Sequence, residues 1–177
     1  GFASGGILSL TGGSGTNADF ARIQAITGTQ TITGSPTITL QGGSGGLIDD
    51  GNSAQIQAQA GLQTITAGTT TITAGQSGGT NNRANITAPS QIITVNGNLT
   101  LTGGNSATPS GATSGGGARI GGTGGATPGP TDLSLTVHGN VVLNGGSVAN
   151  AGASIGSDFL GGQTTDITMN VDGSVTL

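Results

Sequence analysis

The sequence predicts an all-β fold: a single right-handed parallel β-helix, or β-solenoid, of about five coils with three short strands each. Three observations predict it. A hydrophobic-x-hydrophobic triplet, usually followed by Gly-Gly, returns along the 177 residues. A second theme, Ala-x-Ile, returns with its Ile residues 33, 30, 34 and 35 positions apart (23 to 56, 86, 120 and 155). A glycine corner then precedes each return of the first triplet. Self-similarity at a period of tens of residues marks a solenoid, and the preference for right-handed crossovers between parallel strands sets the hand.

The first strand of each coil carries the opening theme. It reads Leu8-Ser9-Leu10 before Gly12-Gly13, Ile38-Thr39-Leu40 before Gly42-Gly43, Leu99-Thr100-Leu101 before Gly103-Gly104, and Val141-Val142-Leu143 before Gly145-Gly146. Ile72-Thr73-Ala74 is a weaker copy, and Val175-Thr176-Leu177 is another. Alternation with period 2 sends Leu10, Leu40, Ala74, Leu101, Leu143 and Leu177 to one face, where they form an interior ladder.

The second strand carries Ala-x-Ile, and its ladder is Ile23, Ile56, Ile86, Ile120 and Ile155, flanked by small Ala rungs. The third strand contributes Ile32, Ile65, Ile93, Leu135 and Met169. Each fully buried rung is worth about 1.5–3 kcal/mol. Gln30, Gln63 and Gln91 share the inward parity of the third strand. They form either a stacked amide ladder or an exposed corner; Leu133 and Ile167 replace them in the last two coils. The corners Gly34-Ser35, Gly68-Thr69, Gly97-Asn98, Gly139-Asn140 and Gly173-Ser174 supply the tight turns.

The chain reads as one domain, residues 1–177, with longer loop insertions at 102–117 and 121–131. Insertions in solenoids map to loops and often mark a binding face, although loops also drift freely.

Composition excludes several classes of function. Three Arg and no Lys against seven Asp leave nothing to neutralise a phosphate backbone, so no nucleic-acid partner is expected. No apolar run approaches the ~18 residues of a membrane span. With no Cys there are no disulfides and no thiolate metal sites. Charged residues are 6% of the chain, yet the 32% hydrophobic fraction sits in ordered alternation, which argues against disorder.

No residue is assigned as catalytic, cofactor-binding or metal-ligating, and no cofactor is expected. The chain has no Glu, Lys, Tyr or Trp, and adjacent Asp49 and Asp50 would point to opposite faces of a strand. The lone His138 has no Ser or Cys at a telling spacing. The glycine runs at 12–15 and 42–45 resemble the opening of a calcium-binding nonapeptide, but Asn17 and Leu47 stand where its Asp belongs. Outward Thr residues stack as two arrays: Thr33, Thr66, Thr94 and Thr136 on the third strand, and Thr39, Thr73, Thr100 and Thr176 on the first, with Val142 interrupting. They are good exposed strand residues, and such arrays also resemble those of ice-binding proteins.

Residues 97–104 (Gly-Asn-Leu-Thr-Leu-Thr-Gly-Gly), echoed at 139–146 and 173–177, resemble the repeats of filamentous-haemagglutinin-like and related secreted β-helical adhesins. The resemblance covers most of the chain as a repeat style. It implies a right-handed β-helix at a bacterial surface, built into long stalks.

The function expected from these readings is an extracellular structural protein, secreted or at the cell surface. It would be a subunit or segment of a β-solenoid filament assembled end to end. Its partners would be further copies of itself, head to tail, through Phe2, Ile7, Leu8, Leu10, Val171, Val175 and Leu177. The alternative is an adhesin that binds surface carbohydrate through its loops. Ice binding and polysaccharide degradation rank below both.

Overall fold

The computed structural model describes residues 1–3, 5–16, 19–45, 51–105, 116–122, 131–156 and 165–177. The chain winds through β1 (Ile7–Thr11), β2 (Ala21–Ala25) and β3 (Gln30–Ile32), then β4 (Thr37–Gln41), β5 (Ala54–Ala58) and β6 (Leu62–Ala67). The next coils are β7 (Thr70–Thr73), β8 (Ala84–Thr87) and β9 (Ser90–Val95), followed by β10 (Leu99–Thr102), β11 (Ala118–Ile120) and β12 (Thr131–Val137). β13 (Val141–Asn144), β14 (Ala153–Ile155), β15 (Thr165–Val171) and β16 (Val175–Thr176) complete the set. Every third strand pairs in parallel, giving three sheets: β1-β4-β7-β10-β13-β16, β2-β5-β8-β11-β14 and β3-β6-β9-β12-β15. This is the expected all-β parallel solenoid, and no helix occurs among the described residues.

The second and third ladders stand as the sequence implies. Ile23, Ile56, Ile86, Ile120 and Ile155 are register partners in succession. So are Ile32, Ile65, Ile93, Leu135 and Met169. Ile56, Ile65, Ile86, Ile93, Ile120 and Leu135 are buried in one continuous core. Burial falls off toward the outermost coils. Leu10, Ile23, Leu143 and Ile155 are only partly buried, and Met169, on the edge strand β15, is 41% exposed because no strand lies beyond it among the described residues.

The first ladder needs a correction. Leu40 pairs with Ile72, and Ile72 with Leu101, so Ile72 rather than Ala74 is the rung. Thr70 then falls in the column of Ile38 and Leu99. A two-residue slip preserves the inward parity, and this register sets the larger Ile72 against the two leucines. Ala74 is buried just beyond β7. The outward column shifts with it: Thr39, Thr71, Thr100, Val142 and Thr176 are partners, and Thr73 instead pairs with Gln41 and Thr102. On the third sheet Thr66, Thr94 and Thr136 stack as expected and Asn170 follows them.

The three glutamines are an interior ladder. Gln63 Nε2 donates to Gln30 Oε1, and Gln91 Nε2 to Gln63 Oε1, each at 2.6 Å. Gln30 Nε2 closes the lower end on the Gln57 carbonyl at 3.2 Å.

Candidate functional site

The corner between the first and second sheets is where side chains of three coils converge on one open groove. Its geometry begins with the paired glycines. A Cβ on Gly12 would collide with the Asn52 carbonyl, and one on Gly42 with the Asn82 carbonyl. One on Gly103 would meet the carbonyl of Ala151. The chain leaving each first strand passes directly against the chain entering a second strand, and only a bare backbone fits there.

Asn52 and Asn82 organise this corner from behind, and both are fully buried. The Asp19 N–H donates to Asn52 Oδ1 at 2.8 Å, and the Asn52 N–H to Asn82 Oδ1 at 2.9 Å. Asn52 Nδ2 donates to the Gly15 carbonyl at 2.8 Å and to that of Ser44. Asn82 Nδ2 donates to the carbonyls of Gly45 and Gly78 at 2.9 and 2.8 Å. Sequence reasoning missed this column, although a signal existed: Asp or Asn stands two residues before Ala-x-Ile in the first three coils (Asp19, Asn52, Asn82).

In front of that column lies a groove of about 330 Å³, lined by Thr11, Ser14, Gln41, Ser44, Gln76 and Ser77 with bare glycine backbone between them. Ser44 and Ser77 bridge in parallel, and the Ser44 N–H donates to the Gly13 carbonyl at 3.0 Å. Gln41 Nε2 donates to the carbonyls of Gly42 (3.0 Å) and Ala74 (3.4 Å). Gln76 Nε2 donates to those of Ala74 and Gly103, both at 2.8 Å. The amide donors are turned into the wall, and neither Oε1 atom accepts a hydrogen bond from the described residues. Among the described residues no ionisable side chain lines the groove, and Asp19 packs against Gly13 at its rim.

A second polar column runs along the opposite corner. The Asn140 N–H donates to Asn98 Oδ1, and the Ser174 N–H to Asn140 Oδ1, both at 2.9 Å. Beside it His138 Nδ1 lies 2.7 Å from Asp172 Oδ2, both side chains exposed. Arg22 lies 4.2 Å from the centroid of the Phe20 ring. Among the described residues no three His, Cys, Asp or Glu side chains come together as metal ligands, and no helix is long and apolar enough to cross a membrane.

The residues expected at the ends of the stack lie at its two ends. Phe2 lies at one end, its N–H donating to the Thr33 carbonyl at 2.9 Å. Ile7 points outward and Leu8 is buried, with Leu10 half-buried. Val171 is half-buried at the other end, where Val175 and Leu177 are exposed. Asp49, Asp50, Asn17 and Leu47 lie outside the described residues, as do 106–115 and 123–130 of the two insertions.

No protein-family model matches the chain, and no curated protein or solved structure shows significant similarity to it. The class that the fold itself defines is the parallel β-solenoid.

Proposed function

We propose that the chain is an extracellular structural protein, a subunit or segment of a β-solenoid filament or stalk lengthened coil upon coil. The observation that carries this reading is the face formed by β14, β15 and β16. Its strand edges have no neighbour among the described residues, and Ile167, Met169 and Val175 are 43%, 41% and 48% exposed. Each occupies a column whose rung one coil earlier, Leu133, Leu135 or Val141, is buried. An open strand edge with apolar rungs is a template for another strand.

Low charge suits repeated close packing, because little like-charge repulsion opposes it. The similarity of residues 97–104 and their echoes to secreted β-helical adhesins supports placing the filament at a bacterial surface. Electron microscopy and analytical ultracentrifugation of the purified chain test the proposal. Thin unbranched filaments, lost on Met169→Asp, are expected; uniform monomers at every concentration would overturn end-to-end assembly of this chain.

A further inference from the structure

We propose that the groove at the corner of the first three coils binds a neutral saccharide chain lying along the solenoid axis. This goes beyond the structural role and does not depend on whether the chain polymerises.

The chemistry of the lining selects the ligand. Among the described residues the lining carries no cationic group and Asp19 stands beside Gly13, so a phosphate or carboxylate entering the groove would lose hydration without meeting a counter-charge. The Nε2 donors of Gln41 and Gln76 are held by backbone carbonyls. Each carboxamide is therefore fixed in orientation, with its Oε1 an acceptor that no described residue uses. Ser14, Ser44 and Ser77 add one hydroxyl per coil, each able to donate and accept. A partner that satisfies fixed acceptors and hydroxyls together must itself carry many hydroxyls. Stacked coils repeat at about 4.8 Å, so an extended oligosaccharide meets one serine at each successive coil, with Gln41 and Gln76 on either side of that row.

The site is also built to stay in place. The loops carrying the three serines are tied down by Asn52 and Asn82, which hold the carbonyls of Gly15, Ser44, Gly45 and Gly78. Groups already fixed before binding lose little entropy on contact. The glycine floor lets a sugar ring approach the backbone. With no aromatic ring to stack on, affinity is modest, with a Kd on the order of 1 mM for a short oligosaccharide.

The test is an NMR titration of the whole chain with neutral gluco-, manno-, galacto- and xylo-oligosaccharides and with a uronate oligomer as the charged comparison. At least one neutral member should give saturable shifts at the Gln41 and Gln76 side-chain amides and at the Ser44 and Ser77 backbone, and the uronate should not. Gln76→Ala and Ser77→Trp, both at exposed positions, should weaken that binding about tenfold, the loss of one well-placed hydrogen bond or more. Ser77→Trp should leave thermal unfolding unchanged, Gln76→Ala should lower it only slightly through the two carbonyl contacts it gives up, and Thr168→Trp on the third sheet should bind as the parent does. Absence of shifts with every neutral oligosaccharide, shifts confined to another face, or undiminished binding by both groove variants would overturn the proposal.

Discussion

Gln91 and Leu133 occupy the same inward column of the third sheet, one coil apart, and the amide ladder stops between them. Gln91 Nε2 reaches back to Gln63 Oε1, while its own Oε1 is buried with no hydrogen-bond partner. Below it each glutamine oxygen receives the amide of the next coil. The ladder is therefore a directional chain of hydrogen bonds enclosed in aliphatic rungs.

That direction makes the middle member the sensitive one. Gln63→Leu removes the donor to Gln30 and the acceptor for Gln91 at once, stranding polar atoms on both neighbours. Leaving a buried group unpaired costs about 1–3 kcal/mol, so a loss of ~2–4 kcal/mol is expected. Replacing Gln30, Gln63 and Gln91 together by Leu leaves no amide in the column to be stranded, and the triple variant should be more stable than Gln63→Leu alone. Urea unfolding of both variants checks this, and additivity of the three single changes would contradict it.

Thr70 offers the opposite case. It sits between Ile38 and Leu99 in the core, 1% exposed, and its Oγ1 has no partner. Thr70→Val keeps the shape and removes an unpaired hydroxyl. A gain of about 1 kcal/mol is expected, read as a higher urea midpoint with an unchanged m value.

Much of the architecture was legible in the sequence, and Thr70 shows where legibility ended. The Ile23-to-Ile155 column was plain because Ala-x-Ile recurs at a near-constant interval with a glycine corner after each third strand. In the first sheet Ile72-Thr73-Ala74 looked like Ile38-Thr39-Leu40. A shift of two residues keeps every side chain on its face, so alternation cannot distinguish the two registers; packing of Ile72 against Leu40 and Leu101 does. The groove was hidden for another reason. Its loops differ in length from coil to coil, and although Ser14, Ser44 and Ser77 recur at 30 and 33 residues, Gln41 and Gln76 fall at different places in the repeat. Their placement depends on Asn52 and Asn82, which recur two residues before Ala-x-Ile but whose role shows only in their burial and hydrogen bonds.

Those two asparagines should therefore link stability to the groove. Asn52→Ala removes the acceptor for the Asp19 N–H and the donor to the Gly15 and Ser44 carbonyls. A loss on the order of 2–4 kcal/mol is expected from several buried groups left unpaired. Hydrogen exchange should speed up at residues 13–16 and 44–45 before the rest of the chain. Uniform acceleration across all three sheets would instead mean that Asn52 supports the whole core and not this corner.

The paired glycines give the sharpest contrast. Gly42 lies outside the left-handed region, so its need for a bare Cα is steric: an added Cβ would drive into the Asn82 carbonyl and the Gly75 nitrogen. Both are backbone atoms in the stack and cannot swing aside. Gly42→Ala should lose about 1–3 kcal/mol, the usual range for overpacking. Gly145 holds the equivalent place in the repeat motif, yet a Cβ there meets nothing within 4 Å, and its φ is not in the left-handed region either. Gly145→Ala should be neutral or stabilising by up to about 1 kcal/mol, through the reduced freedom of the unfolded chain. Thermal unfolding of the two variants side by side distinguishes a steric requirement at one coil from a general demand of the motif. Equal losses at both positions would show that the glycines serve chain flexibility rather than close passage of the backbone.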